Sequence, residues 1–201
     1  MATTLLEVPL RGITPRILED LQTKYPDATL RIETSGAPET ETMDEAQFWA
    51  IIDLFDWGQE NSAAILQPAV EALSNFSKAD ICKFHDILNE KLYLLDAQRF
   101  AEQLGSNAWP PGEGQHFSVD DFLYSRCGVV ANGQSFFEEV SMHPERIPKE
   151  FTFEALLYLP DLAWQRKTGE ESLDYFPQHS YETFSNEEGW PGIKPRSARL
   201  K

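Results

Sequence analysis

Apolar positions follow two different rhythms along the chain, and the change falls near residue 40. Leu5-Leu6-Glu7-Val8-Pro9-Leu10 is compatible with a strand. Thr14-Pro15 reads as the cap and first position of a helix, since proline loses nothing where no partner exists for its missing N–H. Ile17, Leu18 and Leu21 give that helix one apolar face, and Tyr25-Pro26 should end it. Over 28–33, Leu30 and Ile32 alternate with Thr29 and Arg31, a half-buried strand pattern. Residues 1–33 are therefore expected to form a small strand–helix–strand unit. Two strands are too little sheet to stand alone, so the unit should dock on the remainder or on a second copy, with homo-oligomerisation through its strand edges as one outcome.

Residues 34–42 are small and polar without periodicity and read as a linker. From there the period is helical. Asp44 caps a segment carrying Phe48, Trp49, Ile51, Ile52 and Phe55, which should run to Trp57-Gly58. A second helix is expected from about Ser62 to Asn75, where Pro68 either kinks it or marks its first turn. Ser77 followed by Asp80 resembles a capping box. The stripe Ile81, Phe84, Leu88, Leu92 and Leu95 then predicts a long helix ended by Gly105. After a loop over 107–117, Ser118 and Asp121 repeat the cap pattern and open a helix to Asn132-Gly133. Another runs from Gln134 to Met142, and a last segment from Phe153 to Lys167 should bend at Pro160. Residues 170–201 are irregular but hold Tyr175, Phe176, Tyr181, Phe184 and Trp190, the composition of a tail that packs on its own domain. The fold class expected is α+β, mainly α: a strand–helix–strand unit, then about five or six helices over 43–169.

Charge changes this picture most. Thirty-three acidic residues face 17 basic ones, a net charge of −16. The last acidic residue is Glu188, so residues 1–188 carry −20, while Lys194, Arg196, Arg199 and Lys201 make the tail basic. Such a body repels phosphate backbones and anionic lipid, which speaks against nucleic acid and membrane surfaces and in favour of a basic protein partner. Two cysteines, Cys82 and Cys127, make no disulfide framework, and the start of the chain lacks the pattern of a signal peptide. Cytoplasmic localisation is expected.

The stretch Ser118-Val119-Asp120-Asp121-Phe122-Leu123-Tyr124-Ser125-Arg126, continuing to Gly133 and Pro144, resembles the core of the bacterial domain of unknown function 4240 family. That family's helix has the form Ser-Asp-Asp-x-Phe-x-Tyr-Phe-Arg before a helix–Gly–helix turn. Met43-Asp44…Phe48-Trp49…Ile52 and Leu156-Leu157…Lys167-Thr168-Gly169 extend the resemblance to residues 43–169. Asp120, Phe122, Tyr124, Arg126, Gly133 and Pro144 fit the pattern, whereas Val119, Ser125 and Cys127-Gly128 depart from it. The resemblance implies a fold and carries no assigned reaction.

Among residues able to do chemistry, Asp120 and Tyr124 share a helix face at a spacing of four, and Arg126 lies nearer the opposite side. They could grip a ligand or move a proton; equally, Asp120 could favour its helix dipole and Arg126 tie helices together. Trp109, in the loop Trp-Pro-Pro-Gly-Glu-Gly, is a candidate contact or a residue folded onto the core. Cys82 and His85 could supply two metal ligands, but His116, His143 and His179 complete no ligand spacing. No phosphate loop or nucleophile elbow occurs, and no catalytic residue, metal or cofactor is assigned. Two classes stay open: a binding or regulatory module, such as an immunity-type inhibitor of a basic partner, and an enzyme built around Asp120, Tyr124 and Arg126.

Overall fold

The computed structural model describes residues 23–25 and 43–193. Contacts divide the chain into two units, Met1–Pro38 and Glu39–Lys201, and the second holds the domain described below. The expected strand–helix–strand unit lies outside the described residues except at one point. Thr23 and Lys24 are helical and Tyr25 is not. No strand occurs among the described residues, so the sheet in the expected α+β fold finds no support and the domain is helical.

Among its described residues are seven α-helices: α1 (Glu45–Ile52), α2 (Ser62–Ser74), α3 (Lys78–Leu94), α4 (Gln98–Ala101), α5 (Val119–Ala131), α6 (Gln134–Met142) and α7 (Leu159–Thr168). Their starts follow local chemistry. Asp44 and Gln47 form a reciprocal capping box, as do Ser77 and Asp80, and the Asn61 and Ser118 side chains each accept a first-turn N–H. Gly133, at φ +88°, makes the turn between α5 and α6.

The ends of α1 and α3 and the places of two prolines depart from the expectations. Helix α1 stops at Ile52, after which turns at Leu54 and Phe55 bring Phe55 into the core while Trp57 stays on the surface. Pro68 lies inside α2, not in its first turn. Helix α3 ends at Leu94 instead of continuing to Gly105, because Asp96 is buried there with long-range partners. Pro160 starts α7, preceded by a 3-10 turn (Glu154–Tyr158), and so bends no continuous helix.

Helices α3 and α5 form the middle of the core through Ile81, Phe84, Leu88, Leu92, Phe122, Val129 and Val130. Helix α7 packs against α2 and α3, and the 3-10 turn packs against α5. Phe48 meets Trp49 and Phe84 at 4.9 and 4.8 Å, and Trp49 meets Phe137 at 5.5 Å. Such aromatic pairs add to the burial of their area. The entry to α1 is tied down by the Met43 N–H, which donates to Asp80 Oδ1 at 2.8 Å.

After α7 the described residues hold one further helical turn (Glu187–Gly189), yet the segment is pinned across the domain. The Leu173 N–H donates to Asp161, and the Tyr175 hydroxyl and Gln178 N–H donate to Asp86. Trp190 is buried at its end. A segment without internal ladders must place its donors elsewhere, and carboxylates of α3 and α7 receive these three.

Candidate functional site

The sequence candidates differ in burial. Arg126 is fully buried and Asp120 exposed, while Trp109 and Tyr124 are both half-buried and pack against the core.

Arg126, on the inner side of α5, is fully buried at 0% exposure. Its Nη1 donates to the Leu92 carbonyl at 2.8 Å, placing a cation on the open end of α3 where the helix dipole favours one. Its Nη2 donates to Thr183 Oγ1 at 3.0 Å, and that hydroxyl donates in turn to the Val119 carbonyl. The guanidinium lies 4.7 Å from the centre of the Phe122 ring. Burial lowers its pKa, opposed chiefly by the negative charge of Asp96. Among the described residues no carboxylate comes within ion-pair distance of it. Arg126 thus ties α3, α5 and the C-terminal segment together through a carbonyl and a hydroxyl.

Beside it, Asp96 is also fully buried. Its Oδ1 accepts from the Phe184 N–H at 3.1 Å and from Trp190 Nε1 at 2.9 Å. Its Oδ2 accepts from the Asn186 N–H at 3.0 Å, and the Ser185 hydroxyl lies 3.4 Å away while donating at 2.7 Å to the Ser180 carbonyl. Trp109 completes this region. Its ring meets Phe117, Phe184 and Trp190 edge-on at 5.4–5.9 Å, so the side chain turns onto the core while residues 112–116 of its loop stay exposed.

The outward face of α5 is different. Asp120 and Asp121 are exposed in its first turn. One turn on, the Tyr124 carbonyl accepts the Phe153 N–H at 3.0 Å, which brings the 3-10 turn alongside. Within that turn, the Tyr158 hydroxyl donates to Glu154 Oε1 at 2.7 Å. Tyr124 has its pKa raised by partial burial and then by the charges of Glu154 and Asp120. Tyr158, 52% exposed, is raised by its hydrogen bond to Glu154 and that group's charge. Tyr181, from the C-terminal segment, is raised by burial and by the charge of Glu182. Three phenols therefore stay protonated beside carboxylates, and Arg126, the cation nearest to Tyr124 in the chain, is fully buried.

Such a face offers ring surfaces, phenolic O–H donors and carboxylate acceptors. It suits a lysine or arginine side chain, which can be hydrogen-bonded by a carboxylate while lying on a ring. A phenol held protonated is a poor general base, and the nearest thiol is no nucleophile: burial pushes Cys127 up to about 12. His85 on α3 is half-buried, its Nδ1 has no hydrogen-bond partner among the described residues, and burial lowers its pKa against the charges of Asp161 and Asp86. Among the described residues no group of three His, Cys, Asp or Glu could hold a metal ion, so Cys82 and His85 find no third ligand there.

The sequence reading missed Glu154, Tyr158 and Tyr181. The spacing of four between Glu154 and Tyr158, like that of Asp120 and Tyr124, was the available signal. Nothing local links Tyr181 to α5; that link runs through Thr183.

Fold and site together define an acidic, helical domain whose irregular C-terminal segment is built into its core. Residues 43–182, well over half of the chain, match the family described as Protein of unknown function (DUF4240), and the chain belongs to that family. The match reaches past residue 169 into the C-terminal segment that Asp86 and Asp161 hold. No curated protein and no solved structure matches the chain. No described helix is long and apolar enough to cross a membrane.

Proposed function

We propose that this protein is a cytoplasmic, non-enzymatic binding module that captures a basic protein partner, as an immunity-type inhibitor or regulator does. The observation that carries the reading is the face made by Asp120, Tyr124, Glu154, Tyr158, Tyr181 and Glu182, where protonated phenols and carboxylates lie together over a buried arginine. Residues 43–193 contain 26 acidic and nine basic side chains, so the surrounding field attracts cations. Complementary charge speeds encounter and tyrosine supplies contact area at low entropic cost, a combination common in protein recognition.

The alternative, an enzyme centred on Asp120, Tyr124 and Arg126, needs the three groups to converge on a substrate. Both terminal nitrogens of Arg126 are already bound inside the domain, which favours binding over catalysis.

The test is a pull-down from the protein's own cells at low salt, with the whole chain as bait and a Glu154→Gln/Tyr158→Ser variant as its control. The expected result is a basic protein enriched by the wild type, released by salt and lost with the variant. Equal recovery by both baits would remove this face from the proposal.

A further inference from the structure

The 3-10 turn that carries Glu154 and Tyr158 is preceded by a second group of aromatic side chains at the surface. Trp57 and Phe151 are 45% and 38% exposed, and Leu54 near them in the chain is 42% exposed. Trp57 meets Phe151 at 5.9 Å and Phe153 at 5.0 Å, Phe151 and Phe153 lie nearly parallel at 6.4 Å, and Phe55 closes the group from below. The arrangement is built into the backbone of α5. At Gly128 a Cβ would lie 2.9 Å from Phe151 Cδ1 and 3.1 Å from its carbonyl oxygen, so only glycine lets that segment lie so close.

Exposed acidic residues accompany the platform in sequence. Asp53, Asp56 and Glu60 flank Leu54 and Trp57, and Glu150 precedes Phe151. Lys149, the cation closest to Phe151 in sequence, runs its stem toward Gly105. From Asp56 an open groove of about 470 Å³ continues along α2 past Gln59, Ala64, Gln67 and Pro68 to Glu71. Glu71, at its far end, is paired with Arg166. Exposed tryptophan and phenylalanine over a packed floor, with carboxylates beside them, is the chemistry of an interface anchor.

We infer that Trp57 and Phe151 form a docking platform for a segment of a partner protein that presents an apolar or aromatic anchor beside a lysine or arginine. The commitment to a basic occupant rests on the proposed function and on charge complementarity with Asp53, Asp56, Glu60 and Glu150. The anchor rests on the exposed rings alone. A purely apolar occupant would leave those carboxylates desolvated without a partner, which costs binding. The partner's cations would then extend along residues 150–158, from the platform toward the tyrosine face.

Selection from a displayed library of random twelve-residue peptides, panned on the whole chain at low salt, tests this. The expected outcome is enriched peptides that join an aromatic or leucine residue to arginine or lysine. Their affinity should fall about tenfold in Trp57→Ala and in Phe151→Ala, and by a similar factor in the surface double variant Glu60→Gln/Glu150→Gln. The double variant removes no ring and so keeps the test readable should a ring variant unfold. Peptides that depend on Glu154 and Tyr158 but not on Trp57 or Phe151 would overturn the platform and leave the tyrosine face standing. Peptides indifferent to all of these would overturn both. Enrichment of apolar peptides without cations, or a concentration-dependent dimer abolished by Trp57→Ala, would refute the basic occupant.

Discussion

Asp96→Asn is the most informative single change to the fold, because one oxygen becomes an NH2 group without changing the shape of the side chain. Whichever way the amide turns, the new donor faces a backbone N–H, that of Phe184 on one side or of Asn186 on the other. On the Phe184 side it would also face Trp190 Nε1, so the amide should settle toward Asn186, where the Ser185 hydroxyl, with its proton on the Ser180 carbonyl, can accept. One buried backbone N–H is still left unsatisfied, at about 1–3 kcal/mol. The remaining bonds lose their charge assistance, roughly half their strength, and the buried Arg126 loses the nearest charge of opposite sign. The total is about 3–5 kcal/mol, a large share of the ~5–15 kcal/mol typical of a domain. With a urea slope of about 2 kcal/mol/M, the unfolding midpoint should fall by about 2 M. Urea titration followed by far-UV circular dichroism and tryptophan emission measures it, with exposed Asp120→Asn as a control expected within about 0.5 kcal/mol. A midpoint for Asp96→Asn within about 0.5 M of wild type would refute the role given to this carboxylate.

Three other outcomes can be checked. Gly128→Ala should lower stability by about 1–2 kcal/mol although alanine favours helices, since its Cβ meets the Phe151 ring and carbonyl; thermal unfolding would contradict this by showing a rise. Cys127, held near 12 by burial, should resist alkylation at pH 8 in the native protein and react once unfolded, as mass spectrometry of the modified peptide will show. His85 has its folded pKa below the ordinary 6.5, so the unfolded chain binds the proton more readily. Its contribution is full above pH 6.5 and is lost as pH falls through the folded value. Urea midpoints at about pH 7.5 and 5.5 should therefore drop more for wild type than for His85→Gln, and equal drops would exclude His85 as the cause.

What could be read from the sequence was what depends on neighbours in the chain. Asp44 with Gln47, Ser77 with Asp80, and Ser118 each satisfy N–H groups within one turn, so the starts of α1, α3 and α5 were legible. The end of α3 was not. Its apolar stripe continues to Leu95, and what stops the helix is an aspartate whose partners come from residues 184–190. The same distance hid the acceptors of Arg126: that it could tie helices together was legible, but not that it would do so through a carbonyl 34 residues earlier and a hydroxyl 57 residues later. Asp120 and Tyr124 were visible as a pair on one helix face, but Glu154, Tyr158 and Tyr181 reach them only through the pairing of Phe153 with Tyr124 and of Thr183 with Val119. Trp57 was visible only as the end of a helix and Phe151 carried no signal, because an apolar residue in the sequence does not declare which side of a turn it will take.

Binding of a basic partner at the tyrosine face is the central claim, and site-specific photo-crosslinking in living cells tests it most directly. Tyr158→p-benzoylphenylalanine places a reactive ring on the proposed surface, and the same substitution at Met142, 72% exposed at the end of α6, serves as the control. The expected result is a covalent adduct with one basic protein from position 158, weakened when Glu154→Gln is added, and none from position 142. Adducts of equal strength from both positions, or an acidic protein captured at 158, would contradict it.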